Sequence, residues 1–301
     1  MTTTLGGAPD RAPKRTSQKV REGLLGWLFL LPALAVFVAF FYYPLYLLVD
    51  MSLHRENRFG IGDPPYVGPS QIVDTLTGSD FIEGLTNSGL YMVYTVPLGL
   101  VLGVLLAVAA NRRLRGIRVF QTIFSSTVAT SVAVASVIFF TLVNPEVGYF
   151  KDVSWLSLDN PDWALFSVSL SSVWQNLGLT FIIVLAALQA IPAEMEEASA
   201  LDGYGPLRHF WQITVPLISP ALLFLAVVLV VHALQAYAQI ELLTNGGPGT
   251  ATETLLYKIA DPQGIRSIGT KASMSLGLFV LTAVVAAAQY GLLSKRVHYG
   301  D

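Results

Sequence analysis

The sequence predicts an all-α membrane protein built from six membrane-crossing helices, and three observations lead there. Hydrophobic residues make up 53% of the 301 positions and charged residues only 13%, about half the charged share of an average soluble chain, with a mean hydropathy of +0.58. Apolar runs, each matching the roughly 20 residues a bilayer crossing needs, recur with short polar segments between them. One long polar interruption, Glu194 to Pro216, is too charged and too broken by Gly and Pro to be a crossing itself. The absence of cysteine excludes disulfides, thiolate chemistry and Cys-ligated metals. A net charge of −2 without a long basic run gives no reason to expect nucleic acid.

In chain order, residues 1–23 read as a flexible basic tail carrying Arg11, Lys14, Arg15, Lys19 and Arg21. The first apolar run is too long for a signal peptide and lacks a cleavage pattern, so residues 24–49 form span 1, with Trp27, Tyr42, Tyr43 and Tyr46 at the headgroup level. Pro64, Pro65 and Pro69 argue against regular structure in the loop 50–84. Span 2 (85–110) contains Pro97 and a Gly99/Gly103 pair suited to a close helix contact, and it ends in Arg112, Arg113, Arg115 and Arg118. Spans 3 (119–143) and 4 (163–190) flank a short external loop.

The polar interruption reads as a bent pair of short helices at the membrane surface. Pro192 suits a first helical position, and Glu194, Glu196 and Glu197 then oppose the dipole of the opening turn. Gly203 is free to take the left-handed conformation that stops a helix. About ten residues, roughly 15 Å of helix, fall far short of a crossing. A second segment, 207–213, runs into Pro216. Span 5 (220–243), a turn-forming cluster at 243–250 and span 6 (271–293) complete a transmembrane unit over 24–293, with the polar loop at 191–219 and a short tail at 294–301.

Six spans put both termini on one side. That side carries the five basic residues of the tail, the four arginines after span 2, Arg208, Lys295 and Arg296, which is 12 of the 18 Lys and Arg in the chain. The asymmetry places the termini and the bent pair in the cytoplasm.

Catalysis is disfavoured by what is missing. There is no Gly-x-x-x-x-Gly-Lys-Ser/Thr to cradle nucleotide phosphates, no His-Glu-x-x-His and no Gly-x-Ser-x-Gly. His54, His209, His232 and His298 are scattered, with no carboxylate at metal-ligand spacing. Polar residues inside the spans are the better lead, because burying them in hydrocarbon is costly unless they face protein or water. On span 5, His232, Gln235 and Gln239 follow i, i+3, i+7, with Tyr237 and Glu241 to one side. Trp174 and Asn176 group with Gln175 and Thr180 on span 4, and span 3 holds a run of small hydroxyls from Ser125 to Ser136. These residues fit either a hydrated cavity, whose amides and aromatic platform suit a polyhydroxylated solute, or polar glue between helices. No acid–base pair occupies a span centre, which speaks against ion coupling within this chain. The alternative of a self-contained secondary carrier or channel is separable from a partner-driven transporter by whether the purified chain alone moves solute.

From Glu197 the chain reads Glu-Ala-Ser, three residues, Gly203, nine residues, then Ile213-Thr214-Val215-Pro216. This resembles the signature loop of permease subunits in binding-protein-dependent ABC importers, with Ser199 in place of a second Ala and Val215 in place of Leu. Ile191-Pro192-Ala193-Glu194, and Leu243 to Pro248 with Ala251 to Thr254, resemble the carbohydrate branch, in particular the maltose-type and glycerol-3-phosphate-type first permease.

The resemblance implies a type I importer half, with a coupling-helix loop, in the inner membrane of a prokaryote. It implies a second homologous permease, a cytoplasmic ATPase dimer that carries the ATP and Mg, and an external solute-binding protein, with no cofactor or catalytic residue in this chain. Within the coupling loop, which includes Glu194, Ser199 and Pro216, Glu197 would pair with a basic group on the ATPase, Ala198 would allow close approach, Gly203 would make the turn and Asp202 would lie at the contact. Trp174, Asn176, His232, Gln235, Tyr237 and Gln239 would line the substrate pathway. The expected solute is a sugar or related polyol, with glycerol phosphates and glycerophosphodiesters as alternatives that amides and an aromatic also suit. A phosphate would favour Arg or Lys at a span centre, and the sequence places none there.

Overall fold

Helix accounts for every extended element, and among the described residues the single β contact is an antiparallel bridge between His54 and Tyr66. The computed structural model describes residues 15–55, 64–112 and 115–293. The terminal segments 1–14 and 294–301, with His298, Lys295 and Arg296, and also Arg113, lie outside the described residues.

The chain divides into two units, one to Asp50 and one from Met51. The first contains α1 (Arg15–Phe37), a π-helical turn at Val38–Tyr42 and the start of α2 (Tyr43–Leu53). Among the described residues helix runs from Arg15, so Lys19 and Arg21 of the basic stretch lie on α1. Pro44 lacks the N–H that would bond Phe40 and its ring crowds that carbonyl; the wide turn just before it absorbs the mismatch. There Phe37 stacks on Phe41 at 5.0 Å, and Tyr42 meets both edge-on.

In the second unit α3 (Ser70–Thr77) and α4 (Ser79–Ala110) follow one another, separated by Gly78 in an extended conformation. The loop expected over 50–84 therefore contains a helix and the first turn and a half of span 2. Pro69 sits at the N-cap of α3, where its missing N–H costs nothing, instead of preventing the helix. Next come α5 (Ile117–Ser125), α6 (Val132–Val143), α7 (Ala164–Gln189), α8 (Ala193–Leu201), α9 (Pro206–His209), a π turn at Phe210–Thr214 and α10 (Val215–Leu217). The chain then forms α11 (Ser219–Leu234), α12 (Ala238–Leu243), α13 (Leu255–Ala260) and α14 (Ile268–Leu293). Among the described residues four stretches are long and apolar enough to cross a bilayer: Gly26–Leu53, Ser79–Ala110, Ala164–Gln189 and Ile268–Leu292. Two bent pairs, Ile117–Ala129 with Val132–Val143 at 108° and Pro206–Leu217 with Ser219–Leu234 at 69°, bring the number to as many as six.

Span 3 is thus not the straight helix that its apolar run suggests. Ser125, Ser126 and Thr127 turn their hydroxyls back onto the carbonyls of Gln121, Ile123 and Phe124, at 2.5, 2.7 and 3.0 Å. These bonds compete with the helix ladder; the chain tightens to a 3₁₀ turn, extends through Thr130 and Ser131, and restarts with the Ser131 hydroxyl capping Val134 N–H. Span 5 is also interrupted. Helix α11 stops at Leu234, and the Ala236 carbonyl accepts a 2.7 Å hydrogen bond from the Thr254 hydroxyl instead of continuing the ladder.

Helices α4 and α7 form the spine. Gly103 is their closest approach, since a Cβ there would fall 2.2 Å from Thr180 Cγ2, whereas a Cβ on Gly99 would meet only Leu229 Cδ1 at 3.9 Å. Only one of the two glycines expected at a close contact makes it. On the opposite face of α7, Gly178 lets the Thr127–Val128 backbone dock, with a Cβ position only 2.7 Å from Val128 N. Two apolar clusters fill the unit. One surrounds Tyr91, Val168, Leu229 and Ile240 and spreads under α13 and α14. The other gathers Ala107, Phe181, Val184, Leu188, Ile218 and Leu225, with Phe120 and Phe124 packed on it, at the end of the spine nearest α8.

The far end is closed by ion pairs. The buried Lys258 ammonium lies 2.6 Å from Asp80, 2.8 Å from Glu83 and 3.2 Å from Glu253. Arg266 reaches Asp80 at 2.6 Å and Asp261 at 3.4 Å. Burial alone would push the Lys258 pKa down, but the Asp80 and Glu83 carboxylates hold it above the ordinary value. Burial likewise works against the Asp261 carboxylate, yet the N–H groups of Arg266 and Ile265, with the charges of Arg266 and Lys271, keep its pKa below the usual range.

Candidate functional site

Besides the ion-pair cluster at the far end, polar side chains gather in the elbow at one end of the spine and in a cavity at its middle. In the elbow, α8 occupies Ala193–Leu201, and Gly203 takes φ +74° with open space around it. A side chain at 203 would meet no neighbour; its cost would be the left-handed backbone itself. Asp202 N–H still bonds Ala198 at 3.0 Å, and Tyr204 N–H reaches back to Ser199 at 3.0 Å, the reversal that a glycine-terminated helix makes. The returning arm is longer than expected, running from Pro206 through Leu217 with Pro216 inside it, and it bends into α11 at Ile218.

Ser199 ties the two arms together. Its hydroxyl is buried and shares a 2.7 Å hydrogen bond with His209 Nδ1. Arg208 lies over the Tyr204 ring at 4.4 Å and donates to Gln212 Oε1 at 3.0 Å. Glu194, Glu197, Ala198 and Asp202 stay exposed, and Leu201, Leu207 and Trp211 are 89%, 74% and 62% exposed. The elbow therefore presents carboxylates and large apolar side chains together on a surface that this chain does not cover.

The cavity, about 600 Å³, opens among α4, α7, the bend of span 3 and the break of span 5. Asn176, His232, Gln235, Tyr237 and Gln239 all line it, together with Gln175, Tyr91, Thr95 and Ser172. The i, i+3, i+7 reading of span 5 reached these side chains for the wrong reason. The helix stops before Gln235, and it is the non-helical turn 235–237 that brings Gln235, Tyr237 and Gln239 to one wall. Trp174 stands elsewhere, packed against Phe139 at 6.0 Å and absent from the cavity lining. The aromatic rings lining the cavity are Tyr91 and Tyr237, the latter stacked on Tyr257 at 5.9 Å.

The walls are held by hydrogen bonds between elements. Tyr91 OH and Ser172 Oγ lie 2.6 Å apart across α4 and α7. Asn176 donates to the Ser172 carbonyl at 2.9 Å, and its Oδ1 is 3.3 Å from His232 Nδ1 on α11. Gln175 donates to the Thr130 carbonyl at 3.3 Å, which fixes the bend of span 3 against α7. Tyr91, Thr95 and Ser172 were missed in the sequence because single hydroxyls in apolar helices give no face preference; the one hint was a Tyr at position 91, two turns inside span 2. No Lys, Arg, Asp or Glu lines the cavity, and among the described residues no group of three His, Asp or Glu could hold a metal ion. What the cavity offers is amides, hydroxyls, one imidazole and an aromatic face, which can bind and release a polar solute and lack a nucleophile–base pair.

Comparison with known proteins agrees with this geometry. Residues 99–299 match the family model described as binding-protein-dependent transport system inner membrane component. The chain is 31% identical over 285 residues to the sn-glycerol-3-phosphate transport system permease protein UgpA of Rhizobium meliloti, covering 92% of this chain and 97% of the relative. It is 32% identical over 284 residues to the protein of the same description from Yersinia pestis bv. Antiqua, covering 91% and 96%. Among solved structures, a chain of a bacterial alginate ABC transporter in complex with alginate pentasaccharide-bound periplasmic protein superposes with a TM-score of 0.77 at 22% identity, covering 96% of this chain and 100% of that one.

Proposed function

This chain belongs to the binding-protein-dependent transport system inner membrane components, and from that premise we propose that its elbow is the handle through which a separate ATPase works the cavity. As a member of the family it is a multi-pass permease subunit of an ABC importer, a transport component rather than an ATP-hydrolysing enzyme. ATP and Mg would bind the partner. The observation that carries the proposal is the elbow's construction: an acidic helix turned back at Gly203, pinned by Ser199 to His209, and joined through the single residue Ile218 to α11, which carries His232 on the cavity wall.

In this reading Glu197 pairs with a basic group of the ATPase, Ala198 allows close approach, Glu194 and Asp202 add carboxylates at the rim, and Pro216 stiffens the returning arm. The exposed Leu201, Leu207 and Trp211 fill an apolar groove on the same partner. Asn176, His232, Gln235, Tyr237 and Gln239 line the solute path. The full assembly contains a second homologous permease, an ATPase dimer and an external solute-binding protein, with the elbow and both termini in the cytoplasm. The solute is a sugar or related polyol, because amides and a tyrosine face recognise hydroxyl groups while no cation stands ready for a phosphate. Relatives named for sn-glycerol-3-phosphate and alginate show that anionic solutes occur among similar proteins.

The test is a cysteine cross-link from Ala198→Cys in the assembled transporter. Capture of the ATPase chain supports the reading. Labelling of the introduced thiol by an impermeant reagent added outside intact cells would place the elbow on the wrong face and end it.

A further inference from the structure

At the turn between α4 and α5 the fold leaves a groove of about 440 Å³ lined by Ala109, Arg112, Arg115, Gly116, Ile117 and Phe120. We propose that this groove binds the phosphate and proximal acyl chain of an anionic phospholipid. It rests on the proposed function only in placing the chain in a bilayer, within its assembly, with this end at the cytoplasmic face.

The groove has a fixed floor. Phe120 is wedged against Phe124 at 4.5 Å and Phe181 at 6.5 Å, and Gln121 donates to the Ala110 carbonyl at 3.1 Å, which ties the start of α5 to the end of α4. Ala110 shares an apolar cluster with Leu188 and Ile218, so the groove opens at the same membrane face as the elbow. Beside it, Val119 and Ile123 turn outward on α5, 64% and 58% exposed, as residues in contact with acyl chains would be.

The rim supplies the charge. Arg112 and Arg115 line the groove and Arg118 follows them on α5; all three are exposed, and none has a carboxylate partner among the described residues, although the opposite end of the same α4 pairs its charges closely. Unpaired cations at a cytoplasmic helix end satisfy the positive-inside pattern by themselves. The pattern does not require a walled groove with apolar sides beneath guanidinium groups. That combination matches an ester phospholipid, with the phosphate accepting from the arginine forks and the chain lying along Ala109, Ile117 and Phe120.

The test is lipid analysis of the assembled transporter, extracted in detergent from membranes containing phosphatidylglycerol and phosphatidylethanolamine. Phosphatidylglycerol should be retained in excess over its bulk proportion. Arg115→Gln should lower that excess about fivefold, the effect of one surface cation on anionic lipid, and Arg115→Lys should keep most of it. The triple variant Arg112→Gln/Arg115→Gln/Arg118→Gln should abolish it. If the triple variant does not assemble, Ala109→Phe fills the groove with every charge in place and should abolish the excess too. Equal loss in Arg208→Gln, a basic residue of the elbow, would show general surface charge and overturn the site. Arginine-dependent binding of inorganic phosphate without lipid enrichment would make it a free-anion site. Loss of the ATPase from the triple variant with lipid content unchanged would make it a protein contact. Either result overturns the proposal.

Discussion

Gly99 and Gly103 look alike in the sequence, yet the structure assigns opposite signs to alanine at the two positions. In α4 a Gly to Ala change gains up to about 1 kcal/mol of helix stability where the new methyl has room. At Gly99 it has room, because the nearest neighbour would be 3.9 Å away. At Gly103 the methyl would sit 2.2 Å from Thr180 Cγ2 and 2.7 Å from Thr180 Cβ. Thr180 cannot simply rotate, since its hydroxyl donates to the Asn176 carbonyl at 3.1 Å, and rotation leaves its Cβ in place. Overpacking of this kind costs about 1–3 kcal/mol, enough to cancel the helical gain and leave a net loss. The two variants should differ by about 2 kcal/mol, which for a chain of this size is about 4–8 °C in melting temperature. Thermal unfolding of the purified transporter, followed by intrinsic fluorescence, measures it. Adding Thr180→Ala to Gly103→Ala should recover part of the deficit. Melting of Gly103→Ala at or above the temperature of Gly99→Ala would refute the packing argument.

Gly203→Val forces a β-branched residue into φ +74°; the local cost of about 1–2 kcal/mol leaves the spans intact, so membrane insertion should be unchanged while solute-stimulated ATP hydrolysis falls at least tenfold. Asn176→Ala removes the side chain that meets His232 and contributes to the cavity wall, and uptake assays in proteoliposomes should show KM raised several-fold with the ATPase still bound. For Asp261 the folded pKa lies below the ordinary carboxylate value near 4, so its stabilisation is complete above that value and is lost as acidification protonates the folded state. Melting temperature of the wild type should therefore fall on the acid side of about pH 4, and Asp261→Asn should start lower and show a flatter acid limb.

How far the sequence revealed the fold depended on the range of the interactions. The elbow was legible because its instructions are local: carboxylates in an opening turn, a glycine that can go left-handed, and prolines beyond it. Spans 2, 4 and 6 were legible because nothing but a bilayer explains such apolar runs. The bend of span 3 was hidden, since Ser125 to Thr127 satisfy the sequence of an apolar helix as well as that of a break, and their choice depends on Gly178 admitting the turn. Helices α3 and α13 were obscured by neighbouring prolines and turn residues, and both owe their place to tertiary partners. Lys258 gave no signal at all, because Asp80 lies 178 residues away in the chain. For the cavity, residue type was readable and direction was not. The amides of span 5 reached the wall through a break that no periodicity predicts, and Trp174 turned to Phe139.

The break at Gln235 to Tyr237 also says something about leakage. Irregular backbone at membrane depth persists only beside water or protein; the Ala236 carbonyl is met by the Thr254 hydroxyl at 2.7 Å, while the Gln235, Tyr237 and Gln239 side chains offer polar groups to the cavity. Water admitted to a cavity with such a lining would conduct ions if the cavity were open at both ends. On the proposed solute path, insulation would fall to the apolar cluster where Phe181, Leu188 and Leu225 meet Phe120 and Phe124, and a transport stroke would have to part those rings briefly without letting the membrane potential drain.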